Sequence, residues 1–147
     1  MSKQLKLKIV TPEKLILEEQ VDQVTVPTTE GELTILPNHI AMIAGLSSGD
    51  IVAHSSGEEI PMAVSGGFVE VKQIDGETEV AILADFAEHI VDITEEAIKK
   101  AQLRAEELKK QAENKEVVDF EHFESELEKN LTRIKIADKW RTRKYRK

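Results

Sequence analysis

Four histidines, His39, His54, His89 and His122, are the residues of this chain best suited to metal binding or proton transfer near neutral pH. Metal ligation from one element would need two of them at i, i+4 or a similar spacing, and no two stand so. Carboxylates are plentiful, 28 Asp and Glu in 147 residues, but in an acidic chain this is composition rather than a paired acid and base. No GxGxxG, phosphate loop or GxSxG occurs. Ser65-Gly66-Gly67 lacks the context of a phosphate-binding loop and is expected to be a bulge or tight turn between strands. With no cysteine, thiolate catalysis, disulfides and cysteine-ligated zinc are excluded. The sequence offers no catalytic constellation, and neither metal nor cofactor is expected.

What remains is recognition chemistry, in two places. "GELTILPNHIAMI", residues 31–43, sets a Pro-Asn-His triplet between two apolar runs. Pro37 presets φ for the second position of a turn and Asn38 tolerates the left-handed conformation at the third. His39 is then expected at an exposed turn exit. The second place is residues 133–147, "RIKIADKWRTRKYRK", with a local charge of +7 against −15 for the remainder. So dense a run fits contact with an acidic surface. Ile136 and Trp140, at i and i+4, give it an apolar patch, and Trp140 and Tyr145 among the cations suit stacking or an interface.

Two kinds of element must position these groups. All seven glycines and four prolines lie at or before Gly76, and none follows. Turn punctuation stops abruptly, as where a turn-rich sheet gives way to helices. Before that point Leu5, Leu7 and Ile9 alternate with Lys6 and Lys8, and Val24 and Val26 alternate with Gln23 and Thr25, the period of strands with one buried face. "TPEK" at 11–14, "SSGE" at 55–58 and Asp75-Gly76 are turn signals, the last a two-residue hairpin. After it, Thr94 can cap a helix opened by Glu95 and Glu96, with Ile98, Ala101, Ala105, Leu108 and Ala112 along one narrow seam. Asp119 can cap a second, carrying Phe120, Phe123, Leu127, Leu131 and Ile134. The expected fold is β + α: an antiparallel β-sandwich over 1–86, then an antiparallel two-helix hairpin over 87–147, with the boundary near Asp85–Asp92. Because its seam is narrow, the hairpin is expected to dock on something else.

Bulk properties exclude several classes. A net charge of −8 opposes a general nucleic-acid binder. "MSKQLKLKIV" has no apolar core of a secretory signal, and the longest apolar stretch, Ile40–Leu46, falls far short of a membrane span. An interaction module whose basic tail holds nucleic acid or an anionic membrane is the alternative reading.

"EGELTILPNHIAMIAGLSSGDI" resembles the epsilon-subunit signature of the F-type rotary ATP synthases, roughly EGE-x-GILPGHAPLL…L-x-PG. "KIVTPEKLILEEQVDQVTVPTTEGE" before it and "MAVSGGFVEVK…VAILADFAE" after it are similar to the rest of that family's sandwich. The matching blocks run in order over nearly the whole chain. The resemblance implies a rotor subunit that is not itself an enzyme, packed on the gamma subunit and the c-ring at the foot of the central stalk. It implies a peripheral position at the cytoplasmic face of a bacterial membrane, in preference to a chloroplast thylakoid, with membrane contact only through the complex and no nucleic acid.

Carried over residue by residue, Gly31, Glu32, Asn38 and His39 fall where the family makes stalk and c-ring contacts. The helical hairpin of bacterial members can extend and block ATP hydrolysis. That assigns Arg133, Lys135, Lys139, Arg141, Arg143 and Lys144 to acidic surfaces of the beta and alpha subunits. Departures are Thr34 and Asn38 in place of glycine, and Ile40-Ala41 in place of Ala-Pro; Thr34 puts the loop geometry in question. Some bacterial members bind ATP through a segment resembling [IL]-D-x-x-R-A. Here Ile93-Thr94-Glu95-Glu96-Ala97-Ile98 aligns with it, Thr94 replacing the aspartate and Ala97 the arginine, so ATP binding is expected to be absent or weak.

Overall fold

A computed structural model describes residues 3–113 and 120–140. The chain forms strands β1 (Leu5–Val10), β2 (Leu15–Val21), β3 (Gln23–Thr28), β4 (Gly31–Ile35), β5 (Met42–Gly45), β6 (Gly49–Ser55), β7 (Glu58–Ile74) and β8 (Glu77–His89). A short 3₁₀ turn, Ile90–Asp92, leads to helices α1 (Glu95–Glu113) and α2 (Phe120–Trp140). This is the expected β-sandwich followed by two helices. β8 carries the sheet to His89, three residues past the expected division at 86.

One long hairpin builds both layers. The first half of β7 pairs with β6, as Met62↔Ile51, and its second half with β5, as Val69↔Ala44. β8 follows β7 throughout, and its first half pairs with β1, as Val80↔Leu7. One layer is therefore β4-β3-β6 with the first half of β7 and the last part of β8; the other is β5, the rest of β7 and β8, β1 and β2. Among the described residues every strand pairing is antiparallel except β1 with β8, whose crossover is the whole intervening sandwich.

The crossing between layers falls at Gly66 and Gly67, with φ of 67° and 114°. The register is unbroken across them, from Ser65↔Phe86 to Gly67↔Ala84. Ser65-Gly66-Gly67 is thus neither an inserted bulge nor a turn between strands, as expected from sequence, but a bend inside one strand. A Cβ on Gly67 would collide with the Leu83 carbonyl, so that position needs glycine for space and for φ; at Gly66 the near atom is the movable Asp85 carboxylate, and the positive φ is what favours glycine.

Between the layers lies the core, where Leu5, Leu7, Ile9, Val24, Val26, Ile51, Met62, Val69 and Ile82 are all buried. Alternation holds in β1 but fails in β7, where Ile60 to Ser65 are buried on both faces. The reason is a third layer. α2 lies on the outer face of β6 and β7, and Ile136, Ala137 and Trp140 pack there against Ala63, Phe86, Ile90 and Ile93. The hairpin's missing partner is its own sandwich. Along α1, Ala101, Ala105 and Leu108 are buried as expected, Ile98 is half-buried, and Ala112 is exposed. In α2, Phe123 is buried but Leu131 is exposed, while Asn130, Thr132, Ile136, Ala137 and Trp140 face inward. The seam read from sequence is therefore rotated, because this helix serves α1 and the sheet together. Asp119 lies outside the described residues.

Candidate functional site

The Pro-Asn-His turn forms as its residue types require. The His39 amide donates to the Leu36 carbonyl at 3.1 Å, and Asn38 stands at φ 73°. His39 is half-buried rather than exposed, and its Nδ1 lies 2.8 Å from the Ile40 carbonyl. The apolar neighbours are the exposed groups: Leu36, and Ile40 at 75 %.

Gly31–Ile35 is a strand, not a loop, so Gly31 and Glu32 begin β4 and the turn follows its end. At about 3.3 Å per residue, this separates Glu32 from the start of the turn at Leu36 by roughly 13 Å of backbone. The four expected contact residues are thus split between the two ends of β4. Glu32 is exposed and lines a cleft with Thr25, Asp50, Lys139 and Trp140. Thr34 causes no distortion: it is extended within β4, and its hydroxyl meets that of its cross-strand partner Thr25 at 2.9 Å.

Three of the expected basic contacts are described, and two are already engaged. Arg133 Nε donates to Glu88 Oε2 at 2.9 Å, with the guanidinium 4.7 Å from the Phe86 ring centre. Lys139 Nζ and Trp140 Nε1 donate to the same oxygen of Asp50, at 2.7 and 2.9 Å. Lys135 is exposed, beside a groove of about 440 Å³ between α2 and Ser48-Gly49. Trp140 is 1 % exposed, which removes it as a stacking platform; the apolar patch it forms with Ile136 is present but faces the sandwich. Arg141, Arg143, Lys144 and Tyr145 lie outside the described residues.

The two helices are joined by Arg104. Its Nε and Nη2 grip the Glu126 carboxylate at 2.6 and 3.0 Å, and Nη1 reaches Glu107 at 3.0 Å. These hydrogen bonds hold the Glu126 carboxyl below the usual carboxylate range and raise Arg104 above its own. At the α1 start, Thr94 Oγ1 accepts from the Ala97 amide at 3.1 Å, the expected cap. A neighbouring cleft of about 380 Å³ is lined by Ala97, Lys100, Arg104, Glu126, Lys129 and Arg133.

Sequence reading missed an apolar surface on the second layer. Ile43 and Phe68 are 68 % and 60 % exposed, and Leu83, the cross-strand partner of Phe68, is also exposed. The signal was present: Phe68-Val69 and Ile82-Leu83 put apolar residues on both phases of a strand, so one member of each pair must point outward.

Residues 4–90 match the family model described as the ATP synthase, Delta/Epsilon chain, beta-sandwich domain. The ATP synthase epsilon chain of Nitratidesulfovibrio vulgaris is 40 % identical over 136 residues, 92 % of this chain and 97 % of that one. The chain belongs to the ATP synthase epsilon chain family. Other epsilon chains agree: that of Desulforamulus reducens is 38 % identical over 94 % of this chain and 100 % of its own, and that of Halalkalibacterium halodurans 40 % over 90 % and 96 %. The epsilon-family match thus runs through both sandwich and helices. The fold is shared with a chain in the structure of the Euglena gracilis mitochondrial ATP synthase, OSCP/F1/c-ring in rotational state 1, at a TM-score of 0.61 and 23 % identity, covering 92 % of this chain and 78 % of that one.

Proposed function

We propose that this epsilon-family chain is a non-catalytic rotor subunit at the foot of the central stalk, bound to the gamma subunit and the c-ring, and that it helps couple proton translocation to ATP synthesis. The observation that carries this reading is its uncovered apolar surface. Ile43, Phe68 and Leu83 stand on the outer face of one layer, and Leu36 and Ile40 at the Asn38 turn, where the described residues leave them largely uncovered. Large apolar side chains gathered in the open mark surfaces made for partners. The subunit then sits peripherally at the cytoplasmic face of the membrane and touches it only through the complex.

The hairpin over 87–147 is the regulatory part, and the docked arrangement is its non-inhibiting state. Undocking frees Arg133 and Lys139 from Glu88 and Asp50 to join Lys135, Arg141, Arg143 and Lys144 against acidic surfaces of the beta and alpha subunits. ATP is not a ligand of the hairpin.

Replacing Glu32 and His39 together by Ala tests the contact assignment. With Glu32 exposed and His39 half-buried, the stability of the isolated protein should fall by no more than about 1 kcal/mol, while assembly with the gamma subunit and c-ring weakens. Assembly as tight as the parent's removes both residues from the contact. Failure of the parent to co-purify with gamma overturns the rotor reading itself.

A further inference from the structure

We infer that Thr78 and Gln73 are positioning residues that lock the Leu36–His39 turn in its partner-ready shape, an inference that rests on the turn being a partner contact. The Asn38 amide donates to Thr78 Oγ1 at 2.7 Å, the Thr78 hydroxyl donates to Gln73 Oε1 at 3.1 Å, and Gln73 Nε2 donates to the His39 carbonyl at 2.6 Å. The three bonds close a ring between consecutive residues of the turn and the tip of the β7–β8 hairpin. Gln73 and Thr78 are cross-strand partners there, so their separation is set by sheet register rather than by flexible chain. Thr78 is fully buried, and its hydroxyl both accepts and donates within the ring. From outside, Lys3 Nζ donates to Asn38 Oδ1 at 2.6 Å.

The clamp acts on a residue that is not glycine. At φ 73° Asn38 stands in the left-handed region, which asparagine tolerates better than other side-chain-bearing residues but less readily than glycine, so bonds that hold the turn favour this shape over its alternatives. The turn's own i to i+3 bond holds the peptide that joins Asn38 to His39; the ring holds the peptides on either side of it, through the Asn38 amide and the His39 carbonyl. A turn ordered before contact loses less freedom on binding, which favours assembly without adding any contact to the partner.

The test pairs a local readout with a binding one, on the full-length protein. Amide hydrogen exchange at Asn38 is followed by NMR in the parent, Gln73→Ala, Thr78→Val and Thr78→Ser, and affinity for the gamma subunit–c-ring subcomplex is measured for each. Thr78→Val should speed Asn38 exchange at least tenfold, and Thr78→Ser should restore it. Gln73→Ala, at an exposed position that spares the core, should speed it severalfold and weaken assembly about fivefold, the worth of one net hydrogen bond. Parent-like exchange in both Gln73→Ala and Thr78→Val overturns the clamp. Faster exchange with undiminished affinity overturns its positioning role. In that event the Glu32→Ala/His39→Ala pair separates the two ideas: if that variant binds weakly the turn is still a contact, and if it binds normally the contact reading has failed as well.

Discussion

Trp140 Nε1 and Asp50 Oδ2 meet at 2.9 Å, and through this bond a carboxylate on β6 fastens the last turn of α2. Lys139 shares the same oxygen, so one acceptor serves two donors from the helix end. Removing a charged acceptor from a buried donor costs about 1–3 kcal/mol. Asp50→Ala should therefore loosen the docked hairpin while leaving the sandwich folded. Trp140 is the single tryptophan, so its fluorescence reports this directly. A red shift in Asp50→Ala, with near-parent emission in Asp50→Asn, is expected; an unchanged spectrum in Asp50→Ala rejects the latch.

Local chemistry was legible in the sequence, and long-range partnership was not. Asp75-Gly76 adopts φ of 51° and 81°, as its residue types demand in a tight hairpin, and Thr94 caps α1. Both depend on neighbours within four residues. The inward face of α2 was misread because periodicity gives the spacing of a stripe but not which of two partners it meets. The basic residues looked like an outward block, but Arg133 and Lys139 find carboxylates 45 and 89 residues earlier in the chain. Nothing in their spacing encodes that. The ring around Asn38 was invisible for the same reason.

Acid should weaken the joint between α1 and α2. Hydrogen bonding to Arg104 depresses the Glu126 carboxyl. Its stabilising contribution is therefore complete above the ordinary carboxylate range and is lost as pH falls through the lower folded value. Both side chains are partly solvated, which keeps the effect modest. Thermal melts followed by helical circular dichroism should show parent and Glu126→Gln converging as pH drops from 7 to 3. A constant gap between them across that range would show that the pair does not titrate as described.

The basic tail and the docked helix can be separated by truncating after Trp140. This removes Arg141, Arg143 and Lys144 but leaves Ile136, Ala137 and Trp140, which make the contact with the sandwich. Exposed charges act over about 8 Å at physiological salt, so the tail must touch its acidic target to matter. ATP hydrolysis by the reconstituted complex should rise relative to the parent, with Trp140 emission unchanged. Hydrolysis still inhibited to the parental level would take the tail out of the mechanism.

ATP should leave the melting curve unmoved. A nucleotide at the hairpin start would need cations for its phosphates, and charge-assisted contacts are the strong ones. Thr94 there spends its hydroxyl on the Ala97 amide, Ala97 supplies no charge, and Glu95 and Glu96 put two negative charges at the helix N-terminus. In the adjoining cleft a phosphate that recruited the arginines would have to take Arg104 from Glu126 and Glu107, and Arg133 from Glu88. Both exchanges break short, charge-assisted bonds before any new one forms. A ligand bound only by the native state at a hundred times its dissociation constant adds about 2.7 kcal/mol, easily seen as a shift in Tm. The full-length protein melted with and without millimolar ATP, in the presence and absence of magnesium, is expected to give superimposable curves. A saturable stabilisation by ATP that GTP does not reproduce would mean that Lys100 and Lys129 suffice to hold the phosphates, and that the hairpin responds to nucleotide after all.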